Sequence, residues 1–240
     1  MRFGRTILLT TFISILAIMA GCTQGTSEAR LAQIDSLLER KLYDSARAEL
    51  SRIAPSDLKS EEDIAHYNLQ KTNLCFRNGE VLPNDSMIDI SIKHYRQNGD
   101  KQKLARSLYF KGRTQYDRNE TKNALRNLLE AAGIAKETGD DALKAKIYAS
   151  LAYFNKRLGE NRYALKYIKQ ALKYAEKIKY DKAFLIPGIY MQASDIYGNL
   201  KDTANAIAYI EKCIPYIEHT DSFGKANIYS GLANIYNVKG

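Results

Sequence analysis

Tryptophan is absent from the 240 residues, proline occurs only four times and histidine three times. With so little proline and glycine, and a charged fraction of 26%, the chain has none of the composition of a disordered segment. The one long apolar run, Ile7 to Met19, is too short for a good membrane-spanning helix. Neither GxSxG, HExxH, GxxxxGK[ST] nor GxGxxG occurs, so no motif gathers a nucleophile, metal ligands or backbone amides at one point. His66, His94 and His219 stand alone without metal-ligand spacing and read as solvated or partly packed. No catalytic residue, metal or cofactor is therefore expected.

The first residues carry a different signal. Arg2 and Arg5 make a basic start, the apolar run follows, and Ala20 and Gly21 precede Cys22. That order is a secretory signal peptide, residues 1–21, ending at a small-residue cleavage site. Met19-Ala20-Gly21-Cys22 resembles the lipobox of bacterial lipoproteins, with Met where Leu is commoner. The resemblance implies lipidation of Cys22, with acyl chains such as palmitate holding the protein to the membrane. Thr23 rather than Asp follows the cysteine, which in such lipoproteins favours the outer membrane. No acidic run follows, which favours its periplasmic side. Residues 22–28 read as a tether.

Beyond residue 28 the chain repeats itself. Lys101–Lys179 contains two degenerate copies of one pattern about 40 residues apart, each a long amphipathic helix, a polar break and a second amphipathic helix. Ala124, Leu128 and Ala131 in the first copy match Ala164, Ile168 and Ala171 in the second. Such helix pairs cannot bury their apolar faces alone and stack into a solenoid. The expected units are 29–55, 60–100, 101–140, 141–180, 181–221 and an incomplete 222–240.

Helices are expected over Ala29–Arg40, with Leu31, Ile34, Leu37 and Leu38 on one face, and from a cap at Asp44 or Ser45 to Pro55. Ser60–Arg77 follows, with Ile64, Tyr67, Leu74 and Cys75 near its apolar side, then a loop capped by Asp85 or Ser86 and a helix from Met87 to Tyr95. In the fifth unit Pro187 and Gly188 should interrupt the first helix, Lys182–Asn199, and Pro215 should kink or end the second, Thr203–Ile217. Tyr229, Leu232, Ala233 and Tyr236 mark the inner side of the sixth unit. Cys75 and Cys213 lie in the second and fifth units with two whole units between them, too far for a disulfide in a solenoid, and read as buried thiols.

The pairs resemble tetratricopeptide repeats. Tyr148, Leu151 and Ala152, then Gly159 at the turn, then Ala164, Ile168 and Ala171 carry the resemblance best; Leu108, Lys111 and Gly112 echo it, with Lys111 at a usually apolar place. The spacing near 40 exceeds the standard 34. The resemblance spans roughly residues 27 to 240 and implies an all-α fold, a right-handed superhelical solenoid of antiparallel helix pairs, about five and a half units long. With its lipobox and repeats ending in Gly-Asp, the chain is similar to tetratricopeptide proteins of Bacteroidetes. Many of those continue into a membrane helix and a helix-turn-helix regulator domain, which implies that these residues are the front part of a longer chain.

In such repeats the first helix of each pair lines a concave groove. Arg106 and Arg113 are seven residues apart and share a helix face, as do Tyr109 and Tyr116. The fourth unit adds Lys146, Tyr153 and Lys156, and the second adds Asn73 and Arg77. Together they describe a basic, tyrosine-lined groove suited to an acidic or carboxylate-bearing peptide. The alternative is that these cations are solvated and these tyrosines pack between helices. Leu69 stands where a carboxylate clamp would place a lysine before Asn73. The net charge of +9 falls by two once Arg2 and Arg5 are removed; export argues against nucleic acid as its partner, while an anionic membrane surface is a milder possibility. The leading expectation is a non-catalytic, lipid-anchored scaffold that binds a protein or peptide. The alternatives are the periplasmic sensor portion of a membrane-anchored transcription regulator, or an accessory binding component of a nutrient-uptake complex.

Overall fold

A computed structural model of the protein describes residues 26–178, 182–220 and 222–239. The expected signal peptide, the lipobox with Cys22, and the first residues of the tether lie outside them. Eleven α-helices are present among the described residues, and no strand. They are α1 (Ser27–Glu39), α2 (Tyr43–Ser51), α3 (Glu61–Arg77), α4 (Ser86–Asn98), α5 (Lys101–Asp117), α6 (Thr121–Ala135), α7 (Asp141–Arg157), α8 (Asn161–Ala175), α9 (Lys182–Asn199), α10 (Thr203–Glu211) and α11 (Ser222–Lys239). The chain divides into two compact units at Leu74 and Cys75, within α3.

Each pair turns on one residue in the left-handed region. Lys41, Gly79, Asn119, Gly159 and Lys201 have φ of 61°, 71°, 66°, 80° and 62°, and they recur at intervals of about 40 residues. A left-handed residue lets the chain leave one helix and enter an antiparallel one within a few positions. Aspartate starts three of the following first or second helices: Asp100, Asp140 and Asp202 accept the backbone N–H of Lys103, Leu143 and Asn205.

In the first unit α1 packs on α2. Leu31, Ile34 and Leu38 meet Ala46, Leu50, Ile53 and Leu74 in a buried cluster. The expected tether is shorter than the sequence suggests, because Thr26 caps α1 and Ser27 and Glu28 are already helical. Neither Asp44 nor Ser45 caps α2, which begins after Leu42 without a side-chain cap. In α3 the buried positions are Ala65, Leu69 and Leu74, whereas Ile64 and Tyr67 are only half-buried. Asn68 and Thr72 are buried with them and satisfy their side chains on the carbonyls four residues back.

In the second unit α5 packs on α6, α7 on α8 and α9 on α10, and successive first helices α5, α7 and α9 touch in turn. Small residues set how closely each pair approaches. A Cβ on Gly112 would sit 2.9 Å from Leu128 Cγ and 3.0 Å from the Ala124 carbonyl oxygen. The matching position in the next pair is Ala152, fully buried like Ala164. In the next it is Ser194, whose hydroxyl donates to the Ala206 carbonyl at 2.8 Å. The same crossing is thus made by glycine, alanine or a serine that bonds the facing backbone.

Several local expectations change. Helix α4 runs from Ser86 to Asn98, longer at its C-terminal end than expected, and stops at Gly99 in the left-handed region. Asp85 precedes it without capping it; Asn84 Oδ1 accepts the Ser86 N–H instead. Pro187 lies inside a continuous α9 and does not interrupt it, because it falls in the second turn and removes one N–H only. Pro215 does end α-helical structure: α10 stops at Glu211 and Ile214–His219 continue as a 3-10 helix. In α11 the inner position is Ile228, 1% exposed, with Leu232 packed beside it, whereas Tyr229 is 56% exposed and Ala233 is exposed. The sequence register was therefore one residue off there; the Tyr236 side chain lies outside the described ones. Cys213 is buried and Cys75 only half-buried, and no disulfide joins them.

Candidate functional site

The faces of α5 and α7 carry most of the sequence-derived groove. At its centre is Arg113. Its guanidinium carbon lies 4.6 Å from the Phe76 ring centroid and 5.8 Å from that of Phe154. Nη1 donates to Ser150 Oγ at 3.1 Å, and Nε is buried with no hydrogen-bond partner. Tyr116 stacks on Phe154 with centroids 3.8 Å apart and an interplanar angle of 5°, and Tyr153 meets Tyr116 edge-on at 5.8 Å. Helix periodicity places 109, 113 and 116 along one face of α5, and 150, 153 and 154 beside them on α7. Two aromatic faces around a guanidinium hold it in place through its attraction to the ring quadrupoles.

The other predicted residues divide. Arg106 pairs with Asp140 at 3.1 Å and Lys156 with Asp195 at 2.8 Å, each reaching the next repeat. Those two cations are thereby largely neutralised. Tyr109 is 7% exposed and packs edge-on against Phe110 at 5.1 Å, so it belongs to the core rather than to an open surface. Lys146 is half-buried and Arg77 exposed. Asn73 lies in the first unit, buried, and donates to Gln70 Oε1 at 3.3 Å. The structure thus brings Arg113, Tyr116 and Tyr153 together, leaves Lys146 near the same face of α7 by register, and assigns Arg106, Tyr109 and Lys156 to packing.

Sequence reasoning missed the partners. Phe76, Ser150, Phe154, Asp140 and Asp195 carry no spacing signal that marks them as partners of these cations. Lys111 at its usually apolar place is explained by Asp89 at 2.6 Å and Asp85 at 3.6 Å. Asp85 also accepts from Arg118 and Gln115, which is why its side chain is not spent on capping α4. His66 is not isolated: its Nε2 lies 2.9 Å from Asp35 Oδ2, and Gln70 donates to the same carboxylate.

Tyrosine is used at the pair interfaces as well. Tyr148 stacks on Tyr174 at 5.7 Å and lies 6.4 Å from Tyr167. One repeat later Tyr190 meets Tyr209 at 6.2 Å and Tyr216 at 6.4 Å. Burial pushes the Tyr148 and Tyr190 hydroxyls up from the ordinary phenol value, helped by the neighbouring tyrosines. Burial also pushes the Cys213 thiol up to about 12, so it is no nucleophile. Among the described residues no group of three or more His, Cys, Asp or Glu could hold a metal ion, and no helix is long and apolar enough to cross a membrane.

Comparison with known proteins bears on the fold. The tetratricopeptide repeat family matches residues 187–215, the span of most of α9 and of α10. No curated protein matches the sequence. The crystal structure of BtubC (BKLC) from P. vanneervenii is similar with a TM-score of 0.58 at 15% identity, covering 79% of this chain and 76% of that one. The apo form of RapI gives a TM-score of 0.63 at 16% identity, over 96% of this chain and 69% of that one. Stacked helix pairs, small-residue crossings and a matching repeat together give the chain an all-α helical-repeat fold of the tetratricopeptide type.

Proposed function

We propose that the chain is a non-catalytic scaffold that holds a protein or peptide on the face formed by α5 and α7, and that Cys22 tethers it to the cell envelope. The observation that carries the reading is Arg113. It is a cation fixed between two aromatic rings, with one buried N–H left unsatisfied, beside Tyr116 and Tyr153. A guanidinium held between the Phe76 and Phe154 rings favours a carboxylate or backbone carbonyl of an extended segment, because little side-chain freedom is lost on binding. The short ion pairs of Arg106 and Lys156 keep the scaffold rigid instead of meeting the partner. The envelope tether is supported by the order of basic start, apolar run, small pair and Cys22.

A photo-crosslinking residue in place of Tyr153 should give a discrete protein adduct in living cells, and the adduct should fall at least about tenfold when Arg113→Gln is added. The same crosslinker at Tyr229 should not give it. An adduct whose yield is unchanged by Arg113→Gln in a folded protein overturns the assignment.

A further inference from the structure

Helix α8 carries an unusual outer face. Arg162, Lys166, Lys169 and Lys173 follow one another at steps of three and four, so they form one row of about 17 Å along the helix, and Lys177 stands in the turn just after it. All five are exposed. The row lies opposite the buried stripe of Ala164, Ile168, Ala171, Leu172 and Ala175. Among the described residues the first four have neither an ion pair nor a hydrogen-bond partner, and Lys177 only passes over the Tyr174 ring at 5.6 Å. Other long cations of the second unit reach a carboxylate: Arg96 pairs with Glu130, Lys101 with Glu137, Arg106 with Asp140 and Lys156 with Asp195. Only Glu176 interrupts the row's sign.

The fold does not require these charges. At the matching positions of α10 the residues are Ala204, Ala208 and Glu211. Like charges at steps of four also work against the helix itself. The row is bordered by Tyr163, 56% exposed, and preceded by Leu158, 53% exposed. Flexible, unpaired cations next to an exposed tyrosine and leucine suit a diffuse sheet of negative charge with an apolar layer beneath it, rather than one fixed acceptor.

We propose that the outer face of α8 docks on an anionic lipid surface, its cations among the headgroups and Tyr163 at their base. This rests on the envelope placement above for access to lipid. It would fix which side of the scaffold faces the bilayer and leave the α5–α7 face turned elsewhere along the helix pairs.

Because the chain has no tryptophan, Tyr163→Trp supplies a single emission probe. The full chain with this substitution is added to phosphatidylcholine vesicles with and without about one third phosphatidylglycerol. Emission should shift to the blue and be quenched by brominated lipid only with phosphatidylglycerol, and should revert in about 1 M salt. Adding Lys166→Glu, Lys169→Glu and Lys173→Glu should lower the contact constant about a hundredfold. A Tyr229→Trp chain should not respond. Equal emission in both vesicle types overturns the proposal; so does the same shift with polyglutamate in the absence of lipid, which would assign the face to an acidic protein. The probe reads α8 however the chain is held, whereas a failed tether shows separately, as unchanged detergent partition of the Cys22→Ser chain.

Discussion

At the scale of single residues, the turn between helices makes the sharpest demand. Gly79 and Gly159 adopt positive φ without a Cβ to oppose it, whereas Lys41, Asn119 and Lys201 do so with one. Asparagine tolerates the left-handed region better than lysine. Lys201→Gly should therefore stabilise the protein by about 0.5–1 kcal/mol after the added flexibility of the unfolded chain is subtracted, and Asn119→Gly by less. Urea unfolding checks this: the midpoint should rise with an unchanged slope. At the crossing the demand is reversed. Gly112 sits where a methyl group would meet both a leucine side chain and a backbone oxygen, so the small size of that residue is a packing requirement.

At the scale of one element, Asp140 combines two tasks. One carboxylate oxygen accepts the Leu143 N–H at 2.8 Å and starts α7; the other receives Arg106 from α5 at 3.1 Å. Asp100 caps α5 through the Lys103 N–H in the same way. Asp140→Ala should cost about 1–2 kcal/mol, mostly through the lost cap, while Asp140→Asn should keep the cap and cost less, since a partly exposed ion pair is worth about 0–1 kcal/mol. Thermal unfolding of both variants at low and high salt separates the contributions, because only the ion pair is screened. The same distinction explains α4. Its preceding Asp85 serves Arg118, Gln115 and Lys111, and the helix starts without that cap.

At the scale of the whole molecule, the second unit is a chain of neighbour contacts: α4 on α5, α6 on α7, α8 on α9 and α10 on α11 join the successive pairs. Stability in such an array is a sum of pair and interface contributions, so damage should spread unevenly. Phe154 is fully buried in α7 and stacked on Tyr116 of α5. Phe154→Ala should cost about 3–5 kcal/mol. Hydrogen exchange should accelerate most in α5 to α8 and least in α10 and α11. Uniform acceleration throughout the second unit would mean that the pairs unfold as one block.

By itself the sequence determined the local design. The period near 40, the amphipathic pairs, the small residues at 112, 124, 152, 164 and 206 and the glycine at 159 are all legible, because a helix face and a turn are fixed by residues within a few positions of one another. Two kinds of detail were not legible. At Pro187 and at Tyr229, where the local pattern pointed elsewhere, packing against a neighbouring helix decided the outcome, whereas Pro215 ended the α-helix as its sequence position implied. And the fate of the predicted groove depended on partners 34 to 39 residues away, such as Asp140 for Arg106 and Asp195 for Lys156. Which side chain of one repeat meets which of the next follows from the rotation between repeats, and no spacing within a single helix encodes that angle. The tertiary structure alone therefore decided that Arg106, Tyr109 and Lys156 serve the scaffold, that Arg113 stands caged between aromatic rings, and that the row on α8 is left without partners among the described residues.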